Sequence, residues 1–131
     1  MRNHRQNLGK VGEDIAVEYC MKLGYSIIDR HYTTRFGEID IISKEAEEVV
    51  FIEVKSRCTN SFGAPEEAVT DNKINRIIKT AEVFLADHPE VSEYRIDVIV
   101  VRFRLDIFTH LIKHIKGIGI SEAKNHEIDT Y

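Results

Sequence analysis

Residues 37–57 read GEIDIISKEAEEVVFIEVKSR and hold two apolar segments joined by a short polar connector. In the second segment, residues 49–55 (VVFIEVK), odd and even positions are both apolar up to Glu53. Because successive side chains of a strand point to opposite faces, such a run is typical of a central strand covered on both sides. Glu53 and Lys55 therefore fall on a predicted buried strand, where an ionised carboxylate is unfavourable unless it is paired or coordinates a cation.

The first segment, roughly residues 36–43, has the same apolar character and is interrupted by Asp40. The polar connector at residues 44–48 is short, which favours a hairpin with its turn between residues 46 and 47. The resulting register sets Asp40 opposite Glu53, Ile42 opposite Phe51 and Glu38 opposite Lys55.

In this register Asp40 and Glu53 share one face, opposite to Ile39 and Ile41, with their Cβ atoms about 5 Å apart. Two like charges facing each other destabilise a sheet unless a divalent cation lies between them. Oxygen ligands suit Mg²⁺ or Mn²⁺ better than zinc. Lys55 could orient or deprotonate a water and stabilise phosphate charge, which is typical of metal-assisted phosphodiester hydrolysis. In the alternative interpretation, Glu53 and Lys55 form a neighbouring pair at a partly exposed strand end and Asp40 is hydrogen-bonded to the backbone.

The composition fits one domain of ordinary size, since the chain has 131 residues, of which 43% are hydrophobic and 31% charged. No stretch approaches the roughly 18 apolar residues of a membrane span, and the amino terminus has no apolar secretory region. We therefore expect a cytoplasmic protein without a membrane partner. Cys20 and Cys58 are too few and too isolated for a metal site or a disulfide framework, so reduced thiols are expected.

The net charge of −4 does not show the basic footprint that is usual for nucleic-acid-binding proteins. Carboxylates at a metal site, however, lower the net charge while the cation neutralises them locally. Positive side chains precede the Asp40 strand, end the Glu53 strand and recur on the next predicted helix. They could form a basic rim around the carboxylates, although each one also fits a solvated surface charge. These residues are Arg30, His31, Arg35, Lys55, Arg57, Lys73, Arg76 and Lys79.

A first helix is predicted by apolar residues at helical spacing from Leu8 to Leu23, with Gly24 at its end. Glu13 lies at the edge of the apolar stripe, from where its side chain could point toward Asp40 and Glu53. The alternative is an exposed helix glutamate. A strand at residues 25–30 follows.

Residues 56–69 form the longest irregular stretch before the tail, and a loop that leaves the Glu53 strand is a common place for substrate contacts. A second helix is predicted from residue 70 or 71 to about residue 87. Residues 94–103 (YRIDVIVVRF) predict an internal strand on which Asp97 is structural. Residues 105–115 favour an edge strand over a helix because of their β-branched content.

His110 and His114 have the spacing of two ligands on one helical face, but no third ligand is evident and a strand would also put them on one face. A zinc site is therefore not expected. The polar composition from residue 117 onward predicts a loose tail. The sequence thus predicts an α/β protein with a central mixed sheet flanked by helices, in a single domain at residues 1–116 with a flexible tail at residues 117–131.

The order of helix with Glu13, strand with Asp40, strand with Glu53 and Lys55, then helix resembles the PD-(D/E)xK nuclease superfamily. Four phrases are more specific and are similar to the YraN family, small bacterial proteins related to archaeal Holliday junction resolvases. The phrases are GKVGEDIA at 9–16, GEIDII at 37–42, VFIEVKSR at 50–57 and AVTDNKINRI at 68–77. The resemblance covers residues 7–103, about three quarters of the chain.

The resemblance implies a restriction-endonuclease-like core in which Asp40, Glu53 and the backbone carbonyl of Val54 ligate Mg²⁺, with Mn²⁺ as a possible substitute. Lys55 would act on the attacking water, and Glu13 would take part in catalysis as the first-helix glutamate. Lys73 and Arg76 match a basic helix that approaches DNA, and Arg35 and Arg57 extend the same basic rim. The proline of the superfamily name is absent, since Ile39 precedes Asp40, and resolvase-like members widely dispense with it.

Three functions are compatible with these features. The first is a Mg²⁺-dependent DNA endonuclease that prefers branched or single-stranded DNA, and a branched substrate with two scissile strands would suit a homodimer. The second is a nucleic-acid or protein-binding module without turnover, against which the retained Asp40, Glu53 and Lys55 argue. The third is a nucleotide phosphohydrolase, which the absence of a phosphate-cradling Gly-rich loop disfavours.

Overall fold

The computed structural model describes residues 4–59, 70–104, 106, 108–118 and 129–130. In the described parts of the chain, two helices and six strands follow one another along the sequence. They are α1 (His4–Lys22), β1 (Ser26–Thr34), β2 (Gly37–Glu45), β3 (Glu48–Thr59), α2 (Asp71–Ala86), β4 (Glu93–Arg104), β5 (Thr109–Lys116) and β6 (Asp129–Thr130).

The described strands form one sheet in the order β1-β2-β3-β4-β5-β6. Strands β3 and β4 are parallel, whereas all other neighbours are antiparallel. A parallel pair needs a crossover connection, and α2 supplies it between β3 and β4. The predicted fold class, an α/β domain with a central mixed sheet flanked by helices, is confirmed.

Each helix covers one face of the sheet with its own apolar core. The core under α1 contains Ala16, Cys20, Tyr25, Ile41, Val50, Ile52, Ile99, Val101 and Phe103. The core under α2 contains Ile39, Ile42, Val49, Phe51, Ile77, Ala81, Phe84 and Ile96. Strand β3 contributes to both cores by alternation, as expected for a central strand.

The predicted β2–β3 register is confirmed where the two strands pair, because Ile42 lies opposite Phe51 and the ladder runs on to the turn at Glu45 and Glu48. The ladder ends at the pair of Ile41 and Ile52, one step before Asp40, so the predicted pairs of Asp40 with Glu53 and of Glu38 with Lys55 are not part of it. The prediction that Ile39 and Ile41 share a face is wrong: Ile39 packs under α2 with Ile42. The simple alternation of β2 is lost where its ladder with β3 ends.

Helix and strand ends follow local chemistry. Thr70 caps α2, since its side chain accepts a hydrogen bond from the Lys73 N–H at 3.2 Å. After α1, Gly24 has a φ of 96°, a left-handed conformation that glycine adopts readily. The predicted loop at residues 56–69 is wrong in its first part, because β3 continues to Thr59 by pairing with β4. Its remainder, residues 60–69, lies outside the described residues.

Asp97 is fully buried and accepts hydrogen bonds from His114 Nε2 at 2.7 Å, Arg95 Nε at 3.0 Å and the Gly117 N–H at 3.1 Å. Burial alone would raise the pKa of Asp97, but these hydrogen bonds and the Arg95 charge more than offset it and lower the pKa. Nδ1 of His114 lies 2.9 Å from the Tyr19 hydroxyl. The buried network thus ties β4 and β5 to α1, and Asp97 is structural, as predicted.

The region after β4 matches the edge-strand prediction, since Thr109–Lys116 forms β5 and pairs with β4. Within the predicted tail, Asp129 and Thr130 pair with the end of β5, and residues 119–128 lie outside the described residues. Cys20 and Cys58 are both free thiols. Neither helix in the described parts of the chain combines the length and hydropathy that a transmembrane helix requires.

Candidate active site

Helix α1 packs tightly against β3 at Gly12. A Cβ atom added there would lie 2.0 Å from Ser56 Oγ and 3.3 Å from Ser56 Cβ. Any side chain at position 12 would therefore displace Ser56 or separate α1 from β3. The following residue, Glu13, is brought over the end of the β2–β3 ladder by this contact.

A cleft of about 750 Å³ opens between α1 and the sheet. Acidic and basic side chains line the cleft, together with the backbone of α1. The lining residues are Gly9, Lys10, Glu13, Arg30, His31, Asp40, Val54 and Ser56. Two of the predicted catalytic residues, Glu13 and Asp40, thus face one cavity.

Asp40 lies where the β2–β3 ladder ends. Its Oδ2 accepts a hydrogen bond of 2.8 Å from the N–H of Val54, the residue after Glu53. Burial and, next, the negative charge of Glu53 raise the pKa of Asp40 to about 7, and Glu13 and Glu38 add to the effect. The backbone contact is the one that the alternative interpretation expected, and it leaves Oδ1 for another partner.

Glu53 and Lys55 take alternate positions of β3, on the side of α2. Their side chains are 19% and 13% exposed, and Lys55 Nζ lies 3.6 Å from Glu53 Oε2. Burial raises the pKa of Glu53, although the charges of Lys55 and Lys73 act against it. Burial and a hydrogen bond with Lys73 lower the pKa of Lys55. The partly buried carboxyls of Asp40 and Glu53 therefore lie at this end of the hairpin. Lys55, whose pKa is lowered, lies beside Glu53.

Glu13 is held by a clamp of two cationic side chains from β1. Arg30 Nη2 donates to Glu13 Oε1 at 2.6 Å, and His31 Nε2 lies 2.8 Å from the same oxygen. The Glu13 side chain is only 9% exposed, so the interpretation as an exposed helix glutamate is wrong. Nδ1 of His31 lies 2.9 Å from Glu38 Oε2, which fixes the ring between two carboxylates.

His31 has a backbone φ of 57°, a left-handed conformation that is unfavourable for a residue with a side chain. Its hydrogen bond with Glu38 raises the pKa of His31, with further support from the charges of Glu13, Glu38 and Asp40. The imidazolium form is therefore favoured within a group of acidic side chains. Sequence reasoning placed Arg30 and His31 in a general basic rim and missed their contact with Glu13, because no local pattern reports such a contact.

The four residues predicted to contact nucleic acid have different surroundings. Arg57 donates to the Ser56 carbonyl at 3.2 Å, and Lys73 lies beside Glu53 and Lys55. Arg35 and Arg76 are exposed at the β1–β2 turn and on α2. Lys73 therefore belongs to the candidate site, whereas Arg35 and Arg76 lie on the neighbouring surface.

Among the described residues, no group of three or more His, Cys, Asp or Glu side chains is arranged to hold a metal ion. Of the carboxylates around Asp40, Glu53 raises its pKa most, followed by Glu13 and Glu38. Any cation here would therefore have two principal carboxylate ligands and would need oxygens from backbone or water.

Comparison with known proteins places the chain in a family. The profile of Uncharacterised protein family UPF0102 matches residues 12–101. A UPF0102 protein of Clostridium perfringens is 40% identical over 117 residues, which is 88% of this chain and 96% of the relative. One from Mycolicibacterium vanbaalenii is 40% identical over 116 residues, 88% of this chain and 95% of the relative.

A third relative, the UPF0102 protein of Desulforapulum autotrophicum, is 44% identical over 102 residues, 77% of this chain and 84% of the relative. The matched region includes α1 with Glu13, the β2–β3 hairpin with Asp40 and Glu53, and α2. The chain therefore belongs to UPF0102, the YraN family.

Proposed function

We propose that this protein is a Mg²⁺-dependent DNA endonuclease that hydrolyses phosphodiester bonds and prefers branched or single-stranded DNA. The observation that carries the proposal is the effect of the Glu53 charge on the pKa of Asp40 where the β2–β3 ladder ends, with Lys55 Nζ 3.6 Å from Glu53 Oε2. A buried carboxyl whose pKa is raised by a neighbouring carboxylate is typical of catalytic and metal-binding sites.

The donor set fits a hard divalent cation. Mg²⁺ usually binds through one or two carboxylates and keeps several waters, so it does not require a group of three His, Cys, Asp or Glu side chains, which the described residues do not form. Asp40 retains Oδ1, because its hydrogen bond with Val54 uses Oδ2. Asp40 and Glu53 would hold the ion, and the Val54 carbonyl would complete the protein ligands. Mn²⁺ could replace Mg²⁺ in the same oxygen set.

A bound Mg²⁺ would supply Lewis-acid stabilisation of phosphate charge and a more acidic water. Lys55 is suited to the proton transfer, since burial and its hydrogen bond with Lys73 lower its pKa and bring it nearer to the neutral form that accepts a proton. In its charged form Lys55 stabilises negative charge on the phosphate. Glu13, held by Arg30 and His31, keeps a carboxylate fixed at the cleft.

Cationic residues surround this group and suit a phosphate backbone. Lys73 lies beside the site, and Arg57 lies near the end of β3. Arg35 and Arg76 lie on the adjoining surface. Contacts of this kind are made mainly with phosphates, so the proposal includes selection of DNA by structure rather than by sequence. A branched DNA with two scissile strands would suit a homodimer.

One contact favours a second candidate, a binding module without turnover. The hydrogen bond from the Val54 N–H accounts for one oxygen of Asp40 without any metal. Such a module would bind nucleic acid or protein equally well with and without a divalent cation.

Cleavage assays separate the two candidates. Purified protein is incubated with labelled four-way, flapped, single-stranded and duplex DNA, with Mg²⁺, with Mn²⁺ and with EDTA. We expect divalent-dependent cleavage that is lost in Asp40→Asn and Lys55→Ala and kept in two matched controls, Asp29→Asn on exposed β1 and Lys44→Ala near the turn end of β2. Binding of DNA without cleavage of any substrate under all conditions would overturn the endonuclease proposal and favour the binding module.

A further inference from the structure

The β1–β2 turn and α2 carry a cationic cluster that lies outside the cleft. The Arg35 guanidinium lies 4.9 Å from the centroid of the Phe36 ring, and the Lys79 ammonium group lies 5.9 Å from it. Phe36 is half-buried but belongs to none of the apolar cores formed by the described residues. The ring therefore packs under cations rather than in the protein interior.

This turn is fixed against α2 by short contacts. The Phe36 N–H donates to Thr34 Oγ1 at 3.0 Å, and Thr34 Oγ1 donates to Thr80 Oγ1 at 3.4 Å. The backbone at Gly37 lies beside α2, since a Cβ atom there would be in ordinary contact with Thr80 Oγ1 at 3.5 Å and Arg76 Cβ at 3.6 Å. The turn that carries Phe36 is thus held beside the part of α2 that carries Arg76 and Lys79.

Of the residues that the structure describes, no carboxylate forms an ion pair with Arg35, Arg76 or Lys79. Other cations of the chain do have such partners, as Arg30 has with Glu13 and Asp14. Arg35 and Lys79 beside one aromatic ring, with Arg76 three residues before Lys79 in α2, are complementary to a polyanion that also offers flat rings.

The cluster continues from the candidate active site along α2. Lys73 lowers the pKa of both Glu53 and Lys55. Lys79 follows Lys73 six residues later in the same helix. Six residues of an α-helix rise about 9 Å. A stacked nucleic-acid strand covers this length in two to three nucleotides, at about 3.4 Å for each nucleotide. Measured along the helix axis, a strand with one phosphate near Lys73 therefore comes level with Lys79 within a few nucleotides.

We propose that the tip of the β1–β2 hairpin and the adjoining part of α2 bind a nucleic-acid strand with unpaired bases. This surface, the hairpin-tip patch, consists of Phe36, Arg35, Arg76 and Lys79. One base stacks on the Phe36 ring in place of the more distant Lys79 ammonium group, and the cations take the flanking phosphates. Bases in an intact duplex are stacked on each other and cannot reach the ring. The patch would give the proposed endonuclease its preference for flaps and single strands. Its position relative to the scissile bond rests on that proposed function.

The test uses the full chain without divalent cations, so that cleavage does not interfere. The protein contains no tryptophan, so Phe36→Trp provides a single reporter. The matched control is Phe108→Trp, because Phe108 is 91% exposed and lies outside the patch. We expect a single-stranded oligonucleotide, of DNA or RNA, to quench the fluorescence of Phe36→Trp. A blunt duplex, or an oligonucleotide without bases, leaves its fluorescence unchanged, and Phe108→Trp responds to none of these ligands.

Affinity measured by fluorescence anisotropy gives a second readout. Phe36→Leu keeps an apolar side chain but removes the ring, and its folding is checked by its melting temperature. We expect it to weaken single-strand binding by roughly 5- to 150-fold and duplex binding much less, because stacking on an aromatic ring contributes at this level. Unchanged single-strand affinity in folded Phe36→Leu, or equal quenching of Phe36→Trp by the abasic strand, would overturn the proposal.

Failure of the endonuclease function gives a different result. In that case Phe36→Trp is still quenched by single strands while wild type cleaves no substrate with any divalent cation. If instead wild type cleaves flapped DNA and Phe36→Leu cleaves and binds it equally well, the endonuclease proposal stands and the hairpin-tip patch is rejected.

Discussion

Asp40 is a carboxyl group whose surroundings favour its neutral form. Burial and the negative charge of Glu53 raise its pKa from 3.8 to about 7, against the opposing effect of the Val54 N–H. With a raised pKa, the folded protein binds more protons than the unfolded chain between about pH 4 and pH 7. The contribution of Asp40 to stability is therefore most favourable at low pH and is lost as the pH rises through this window.

Substitution of Asp40 by Asn should stabilise the metal-free protein at pH 8. The amide keeps an oxygen for the Val54 N–H but carries no charge, so we expect the free energy of unfolding to rise by about 1 to 3 kcal/mol at pH 8, with a much smaller change at pH 4. Urea denaturation in EDTA at both pH values measures it.

The matched control for this measurement is Asp29→Asn on exposed β1, which should change stability little at either pH. A gain in Asp40→Asn that is the same at pH 4 and pH 8 would show that the charge of Asp40 is not the cause. A loss of stability at pH 8 would show that Asp40 is a structural carboxylate.

Among the elements, the β2–β3 hairpin positions both carboxylates, and its turn contains a strained residue. Ala46, the first of the two central residues, has a φ of 55°. A residue with a Cβ atom is disfavoured in this conformation, whereas glycine adopts it without penalty. Of these two residues only Ala46 has a positive φ, which fits a type II′ turn rather than type I′.

Replacement of Ala46 by Gly should therefore stabilise the protein by up to about 1 kcal/mol, because it relieves the left-handed strain. The control is Glu47→Gly, at the next position, which only adds backbone freedom and should be neutral or destabilising. Thermal unfolding of the two variants measures the difference, and a lower melting temperature for Ala46→Gly than for Glu47→Gly would contradict the turn geometry.

The register of this hairpin could be predicted from the sequence, because a short polar connector between two apolar segments allows few pairings. The face of Ile39 could not be predicted, since the alternation breaks where the ladder ends near Asp40. The same irregular end determines what Asp40 contacts. Local pattern thus gave the partners along the strands but not the arrangement at the site itself.

At the scale of the whole molecule, the polar groups that fix the helices to the sheet join distant residues. Arg30 is 17 residues from Glu13, and His114 is 95 residues from Tyr19. Periodicity and composition report neighbours along the chain, so neither contact could be derived from them. The sequence did predict the class of fold, because burial on both faces of β3 requires helices on both sides of the sheet.

Removal of His114 should destabilise the whole fold. His114→Leu leaves the fully buried Asp97 without its shortest hydrogen bond, and we expect a loss of about 2 to 4 kcal/mol in the free energy of unfolding. His110→Leu, on the exposed part of the same strand, is the control and should change it little. Urea denaturation of both variants measures the effect, and equal stabilities would mean that the buried network contributes nothing.

Calorimetric titration of Mg²⁺, and of Mn²⁺ in parallel, into the metal-free protein at pH 8 tests most directly whether Asp40 and Glu53 bind one divalent cation. We expect one saturable site in wild type and in the control Asp29→Asn, and an affinity more than about tenfold weaker in Asp40→Asn and in Glu53→Gln. Equal affinity for the cation in wild type and both of these variants, or no binding by wild type, would contradict the metal site and the endonuclease function built on it.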